Sequence, residues 1–267
     1  MKVRETILDF CNDGWGEDRL LTAGDLACVI DGATSITRAP YGGFHSNAEW
    51  MAETLARHVA RCAPDGRSHP QVCREMVDQT AHIRGAFDAE HDLPCLTTAA
   101  VRREGELLKC WVLGDCSVYL LLEDGSVRHV TDRRIAGFYS RTLKAQEDAR
   151  RRGGDVAEAV RQQRLRNKAS MNRPEGYWTV AYIGDFEHYF VAETVAANRV
   201  RGALLCTDGF DRLFDFGLAE PGALLEGKLS LQQALALLRG AEKAREDAQN
   251  INVKRHDDVA AILLERV

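Results

Sequence analysis

Gly202-Ala-Leu-Leu-Cys-Thr-Asp-Gly-Phe-Asp211 is an apolar run that stops abruptly at Asp208-Gly209. Ala203 to Cys206 reads as a half-buried or buried strand, and a glycine directly after the acid lets the backbone turn sharply, leaving a carboxylate at the strand end. The pattern recurs. Leu26-Ala-Cys-Val-Ile-Asp31-Gly32 is again an apolar strand that delivers an acid before glycine, and Cys110-Trp-Val-Leu-Gly114-Asp115 is a variant with the glycine first. One strand followed by Asp and Gly is an ordinary turn. Three of them in separate segments predict that folding gathers their carboxylates.

On the N-terminal side, Val3 to Phe10 reads as an edge strand and Cys11 to Gly16 as a polar turn. Glu17 and Asp18 then open one strand and Asp31 closes the next, so an antiparallel hairpin puts them at the same end of a sheet. After Tyr41-Gly42-Gly43-Phe44 the period lengthens: Ala48, Met51, Ala52, Leu55 and Val59 form the apolar face of a helix. A second helix is expected from Pro70 to Asp88. His58, His69 and His82 on these helices read as isolated, without a zinc-like partner pattern. From Cys95 the period shortens again, and Thr97 to Val101, Leu107 to Leu113, Ser117 to Leu122 and Val127 to Val130 read as one antiparallel meander. Such a sheet has a face to cover. The expected fold is α+β, with two stacked antiparallel sheets forming a β-sandwich flanked by helices in a single domain over 1–267.

The segment from about 133 to 173 is rich in arginine and carries Gly153-Gly154. It is expected to form two helical pieces or a flap. Its basic side chains, Arg150, Arg151 and Arg152 among them, fit either a solvated helix face or a surface for an anionic partner. Apart from Phe138-Tyr139, no aromatic residues are interleaved with the basic ones for base stacking, so a phosphorylated protein suits it better than nucleic acid. Thr179 to Ile183 and Tyr189 to Ala192 return to strand, a short helix follows Asp208, and Leu231 to Ala241 is a further helix. Arg255-His256-Asp257-Asp258 is a last acidic turn feeding the apolar strand Val259 to Leu264.

A net charge of −5 argues against a nucleic-acid-binding surface. The eight cysteines contain no Cys-x-x-Cys pair and several lie inside apolar runs, the pattern of reduced thiols in a cytoplasmic protein. Met1 to Leu8 lack an apolar signal region and no apolar run approaches the roughly 20 residues of a membrane helix, so neither export nor spanning is expected. No membrane contact is expected. Several converging carboxylates repel one another unless cations compensate them, and oxygen-only ligands suit magnesium or manganese. None of the cysteines stands in a phosphate-cradling Cys-x5-Arg loop.

The ordered set Glu17-Asp18, Asp31-Gly32, Gly114-Asp115, Asp208-Gly209 and Asp257-Asp258 resembles the metal-dependent serine/threonine protein phosphatases of type 2C, especially compact bacterial members. The resemblance runs from Glu17 to Leu264. It implies a β-sandwich with a binuclear Mn²⁺ or Mg²⁺ centre at one end, hydrolysing phosphoserine or phosphothreonine on protein with water activated between two ions. It assigns metal contact to Asp31, Asp208 and Asp257, which are also the catalytic candidates. Gly32 would contribute its backbone carbonyl, and Glu17 and Asp18 would contact metal directly or through water. Asp115 and Asp211 are candidates for an additional metal, with a third ion left open. Arg19, Arg150, Arg151 and Arg152 are candidates for phosphate or partner contact.

The sequence departs from the family pattern at several points. Ala33 stands where many members have the histidine of Asp-Gly-His, and Thr34 is no general acid at neutral pH. Arg212 takes the place of the usual acid four residues after Asp208, and no arginine closely precedes the Glu-Asp pair. Two other readings follow: a weakly active or inactive phosphoprotein-binding regulatory module, and a hydrolase of a small phosphorylated metabolite.

Overall fold

Strands that are apolar on both faces fill the centre of the protein. The computed structural model describes residues 1–33, 40–87, 93–249 and 256–266, side chains of 245–249 excepted; Thr34, Asp88 and Arg255 lie outside the described residues. In chain order the elements are β1 (Lys2–Asp9), β2 (Arg19–Ala23), β3 (Leu26–Gly32), α1 (Asn47–Cys62), α2 (His69–Gln79), β4 (Cys95–Glu104), β5 (Leu107–Leu113), β6 (Ser117–Leu122) and β7 (Val127–Thr131). Then come α3 (Ala136–Arg151), α4 (Val156–Lys168), β8 (Val180–Ala181), β9 (Val191–Ala196), β10 (Val200–Cys206), α5 (Asp208–Asp215), α6 (Pro221–Leu225), α7 (Leu231–Gln249) and β11 (Val259–Glu265).

One sheet has the order β1-β11-β10-β6-β7 and the other β2-β3-β4-β5-β9, with β8 paired to β4. All the pairings are antiparallel. The Ala203 to Cys206 run lies in β10, which is central and flanked by β11 and β6. Alternation along each strand sorts its side chains into layers. Val29, Ala99, Val112, Val118, Leu205 and Ile262 meet between the sheets. Cys28, Ile30, Leu96 and Ala100 face the other way and are covered by Met51, Leu55, Val72 and Met76 of α1 and α2. On the opposite face, Leu204, Cys206 and Leu263 are covered by Phe210 and Leu213 of α5 and Leu238 of α7. The sandwich flanked by helices is the expected architecture.

The expected single meander is corrected. β4 and β5 belong to one sheet and β6 and β7 to the other, because β6 is buried on both faces and a sheet with one wet face would leave half of it in water. The chain crosses between the sheets at Gly114-Asp115, where Gly114 has φ +80° and any Cβ would lie 2.3 Å from the Thr97 side chain. Only glycine fits there. The second helix is shorter than expected: it ends at Gln79, where the Thr80 hydroxyl bonds back to the Met76 carbonyl at 2.8 Å, and a 3₁₀ turn takes over from Ala81 to Ala86. The strand expected over Thr179 to Ile183 contracts to β8, and the next begins at Val191 rather than Tyr189. The basic segment forms the two helices α3 and α4, and Gly153 between them has φ +65°.

Candidate active site

Each acid reaches the site by a separate structural route. The β2–β3 hairpin pairs Arg19 with Ile30, which sets Asp18 across from Asp31. Asp31 in turn pairs with Thr97 of β4, whose hydroxyl lies 3.5 Å from its carboxylate. Asp115 sits on the crossover between the sheets. Asp208 is the first residue of α5, where the helix dipole favours a negative charge. Asp257 lies just before β11, and β11 is locked to the β10 end because the Thr207 amide donates to the Ala260 carbonyl at 3.0 Å.

The charges register the convergence. Burial pushes the Asp18 carboxyl well above its ordinary range against the opposing pull of the Thr207 hydroxyl, and the charges of Asp257, Asp258 and Asp208 push it further. Asp31 is raised too, by burial and then by Asp18, Asp208, Asp115 and Asp257. Asp115 is raised by burial, with Asp257 and Asp132 adding to it. Five carboxylates from five segments therefore share one electrostatic environment.

Hydrogen bonds hold several of them. Thr207 Oγ1 donates to Asp18 Oδ2 at 2.7 Å, and Ser46 Oγ donates to Glu17 Oε1 at 2.6 Å. Ser46 also caps α1 by accepting from the Glu49 amide at 2.9 Å, so the Glu17 carboxylate is registered to the start of that helix. Gly32 has a steric reason to be glycine: a Cβ would lie 2.8 Å from the Glu17 carbonyl and 2.8 Å from its Cβ. Asp258 acts as a clasp. Its carboxylate accepts from the Cys11 amide at 2.8 Å and the Glu17 amide at 2.6 Å, drawing the 11–17 turn onto the β11 end.

Arg212 was absent from the sequence-derived site and lies inside it. Its guanidinium donates to Asp257 Oδ2 at 2.7 Å and reaches Glu242 Oε1 at 3.4 Å, with the arginine side chain 18% exposed and Glu242 only 2%. Tyr139 of α3 stands at the same rim, 54% exposed, with its hydroxyl raised by burial and felt by Arg212, Asp208 and Asp257. Thr207 and Ser46 were missed as well. The Ser46-Asn-Ala-Glu49 capping pattern was legible, but nothing in the sequence linked it to Glu17.

The other sequence candidates are placed differently. Asp211 accepts from Tyr119 at 2.6 Å and Ser117 at 2.7 Å, so its carboxylate is bound to β6. Arg19 donates to Glu53 at 2.8 Å and to the carbonyls of Gly16 and Asp18 at 2.8 and 2.7 Å, which shapes the acidic loop. Arg150, Arg151 and Arg152 are exposed at the far end of α3.

The donor set fits a hard divalent cation: it is oxygen only and buried or half-buried, and Asp18, Asp31 and Asp115 are raised by burial and then by neighbouring carboxylate charge, which a cation relieves. Its oxygens are nevertheless spread. Among the described residues, the only group of three or more His, Cys, Asp and Glu donors within 4.8 Å of one another is His58, Cys62 and Glu75, on the α1–α2 side of the protein.

Residues 9–223 match the sequence profile of the family described as protein phosphatase 2C. The chain belongs to this family. Asp257 and Asp258 lie beyond the matched stretch. Solved structures agree over nearly the whole length. The catalytic domain of the serine/threonine protein phosphatase PstP, in complex with two manganese ions, aligns with TM-score 0.55 and 16% identity over 98% of this chain and 96% of that one. Stp1 from Staphylococcus aureus aligns at 0.54 and 11% over 99% and 95%, and PppA from Pseudomonas aeruginosa at 0.55 and 14% over 98% and 96%. No curated protein matches the sequence significantly. Among the described residues, no helix of this phosphatase 2C family member is long and apolar enough to cross a membrane.

Proposed function

We propose that this chain hydrolyses phosphoserine and phosphothreonine esters on protein, at a two-ion Mn²⁺ or Mg²⁺ centre built on Asp31, Asp208 and Asp257. The observation that carries the proposal is the convergence of Asp18, Asp31, Asp115, Asp208 and Asp257 at one end of a phosphatase 2C sandwich. Glu17, Asp18 and the Gly32 carbonyl complete the ligand set, directly or through water. When bound, such ions polarise a phosphoryl oxygen and make water nucleophilic at neutral pH.

The chain's own groups do the rest. Thr207 and Ser46 fix Asp18 and Glu17, while Asp258 closes the loop that carries them. Arg212 holds Asp257 and offsets part of the negative charge of Asp257 and Glu242. With an arginine bound to Asp257 and Asp211 committed to β6, the proposal needs two ions and no third.

The test is release of inorganic phosphate from phosphothreonine peptides. Activity should require Mn²⁺ or Mg²⁺, vanish in EDTA, and fall at least about a hundredfold in Asp208→Asn and Asp31→Asn. If the metal-loaded wild type releases no phosphate from any peptide yet binds phosphopeptide saturably, the regulatory-module reading replaces this one. Release from small phosphorylated metabolites alone would move the substrate class.

A further inference from the structure

The sequence reading of His58 as isolated is corrected by the packing of α1 against α2. His58 and Cys62 are four residues apart on one face of α1, and Glu75 approaches from α2. His58 Nε2 lies 3.6 Å from Cys62 Sγ and 3.7 Å from Glu75 Oε2, and all three donor atoms fall within 4.8 Å of one another. A zinc ion held tetrahedrally at about 2.3 Å from sulfur and about 2.0–2.1 Å from nitrogen and oxygen requires ligand separations of roughly 3.4–3.6 Å. The two measured edges are already near that size.

We infer that His58, Cys62 and Glu75 form a second metal site, selective for a zinc-like ion and chemically distinct from the oxygen-only cluster. Nitrogen, thiolate and carboxylate together suit zinc over magnesium or manganese. His58 and Cys62 are buried in the α1–α2 seam, which holds their side chains in place, and Glu75 is half-buried, so the site opens toward solvent on its side. Three protein donors with an open fourth position describe an exchangeable ion rather than a closed structural one.

Two arginines now compete for these donors, and each has a second acceptor in hand. Arg67 bonds Glu75 but also Asp65, and Arg61 lies 2.6 Å from His58 Nδ1 but also 3.0 Å from Gln79 Oε1. On binding, Arg67 keeps Asp65 and Arg61 keeps Gln79. The imidazole proton then resides on Nδ1, Nε2 gives its lone pair to the metal, and the Cys62 thiol releases its proton to solvent. Burial, with Arg61 adding to it, lowers the His58 pKa, which keeps the ring neutral and able to ligate near neutral pH.

The probe is Co²⁺, added to the full chain with Mg²⁺ in excess to occupy the oxygen-only cluster, and the readout is the near-ultraviolet thiolate-to-cobalt absorption band. Zn²⁺ should bleach the band by displacement. Even outer-sphere partners of a metal contribute about 10–100-fold to its affinity, so His58→Gln, Cys62→Ser and Glu75→Gln should each weaken Co²⁺ by at least that much. Cys11→Ser, at the exposed cysteine, should leave the band intact, and Arg67→Gln should strengthen binding. Melting curves in EDTA check that the variants fold, and the half-buried Glu75→Gln supplies the test if Cys62→Ser does not. No band in wild type, a band that survives Glu75→Gln and His58→Gln at full affinity, or a band lost in Cys11→Ser would each overturn the site. None of these outcomes depends on phosphatase activity.

Discussion

Arg212 shows what one side chain does to a cluster of acids. It donates to Asp257 while Glu242, 2% exposed, depends on Arg212, Arg239 and His256 for its partners. Removing one partner of a buried ion pair typically costs about 3–5 kcal/mol; Arg212 is 18% exposed, so we expect Arg212→Gln to destabilise the metal-free protein by somewhat less. Its Mn²⁺ affinity should rise at the same time, because the competing cation has gone. Urea melts in EDTA and calorimetric Mn²⁺ titration check the two halves, and an unchanged Mn²⁺ affinity would remove Arg212 from the metal environment. The acids themselves set a pH dependence. Asp18 and Asp31 are raised above their ordinary 3.8, so the folded chain holds their protons more tightly than the unfolded chain does. Their contribution to metal-free stability is therefore present at low pH and lost as pH rises from about 4 through the raised values. Buried His69, held down to about 3, acts oppositely: its contribution is lost as pH falls below its ordinary 6.5. Asp31→Asn should stabilise the metal-free protein at pH 8 and gain nothing at acid pH, as urea midpoints at the two pH values would show. Asp31 and Asp208 were legible because a strand, an acid and a glycine are contiguous. Arg212 was visible only as a departure from a pattern, since its partner Asp257 is 45 residues away, and the Thr207 bond to Asp18 spans 189.

Among the elements, the crossover between β5 and β6 decides the architecture and was misread. Continuous apolar strands joined by short turns look the same in one meander as in two sheets. The distinction lay in β6, buried on both faces, and in Gly114, whose left-handed backbone swings Asp115 toward the other acids. Gly114→Ala combines a strained φ with a Cβ pressed on Thr97, and overpacking of this kind costs about 1–3 kcal/mol. A melting shift of several degrees should accompany the substitution, and no shift would mean that Thr97 gives way freely. The basic helix α3 has a different geometry problem. Tyr139 is at the rim of the acids, and Arg151 is twelve residues further along, roughly 18 Å at the rise of an α-helix. We therefore propose that Arg150, Arg151 and Arg152 dock the rest of a substrate and leave the phosphate to the acids. Replacing all three with Gln should lower kcat/KM for a phosphopeptide with acidic flanks severalfold and leave p-nitrophenyl phosphate unaffected. Equal losses on the two substrates would refute docking.

For the whole molecule, the sandwich delivers all five acids to one end but leaves Ala33 next to Asp31-Gly32, its amide donating to the Cys95 carbonyl at 3.0 Å and its side chain against the Cys95, Phe138 and Tyr177 cluster. A serine or threonine alkoxide is a poor leaving group and gains most from a proton delivered at that moment, whereas p-nitrophenolate leaves with little help. No imidazole stands at position 33 to deliver it. The proposed hydrolase should therefore show a steep dependence of kcat on leaving-group pKa, measured over a series of substituted phenyl phosphates and a phosphothreonine peptide, with the peptide slowest. Ala33→His should flatten that slope and raise peptide turnover by about 10²-fold or more if the ring faces the leaving oxygen, the usual range for a positioned general acid. The neighbouring cluster is small and aromatic, so a clash is the competing outcome, and a melting curve on the variant separates the two. A slope already shallow in the wild type would mean that another group supplies the proton, and Tyr139, exposed at the same rim with a hydroxyl shifted upward, is the residue to replace with Phe next.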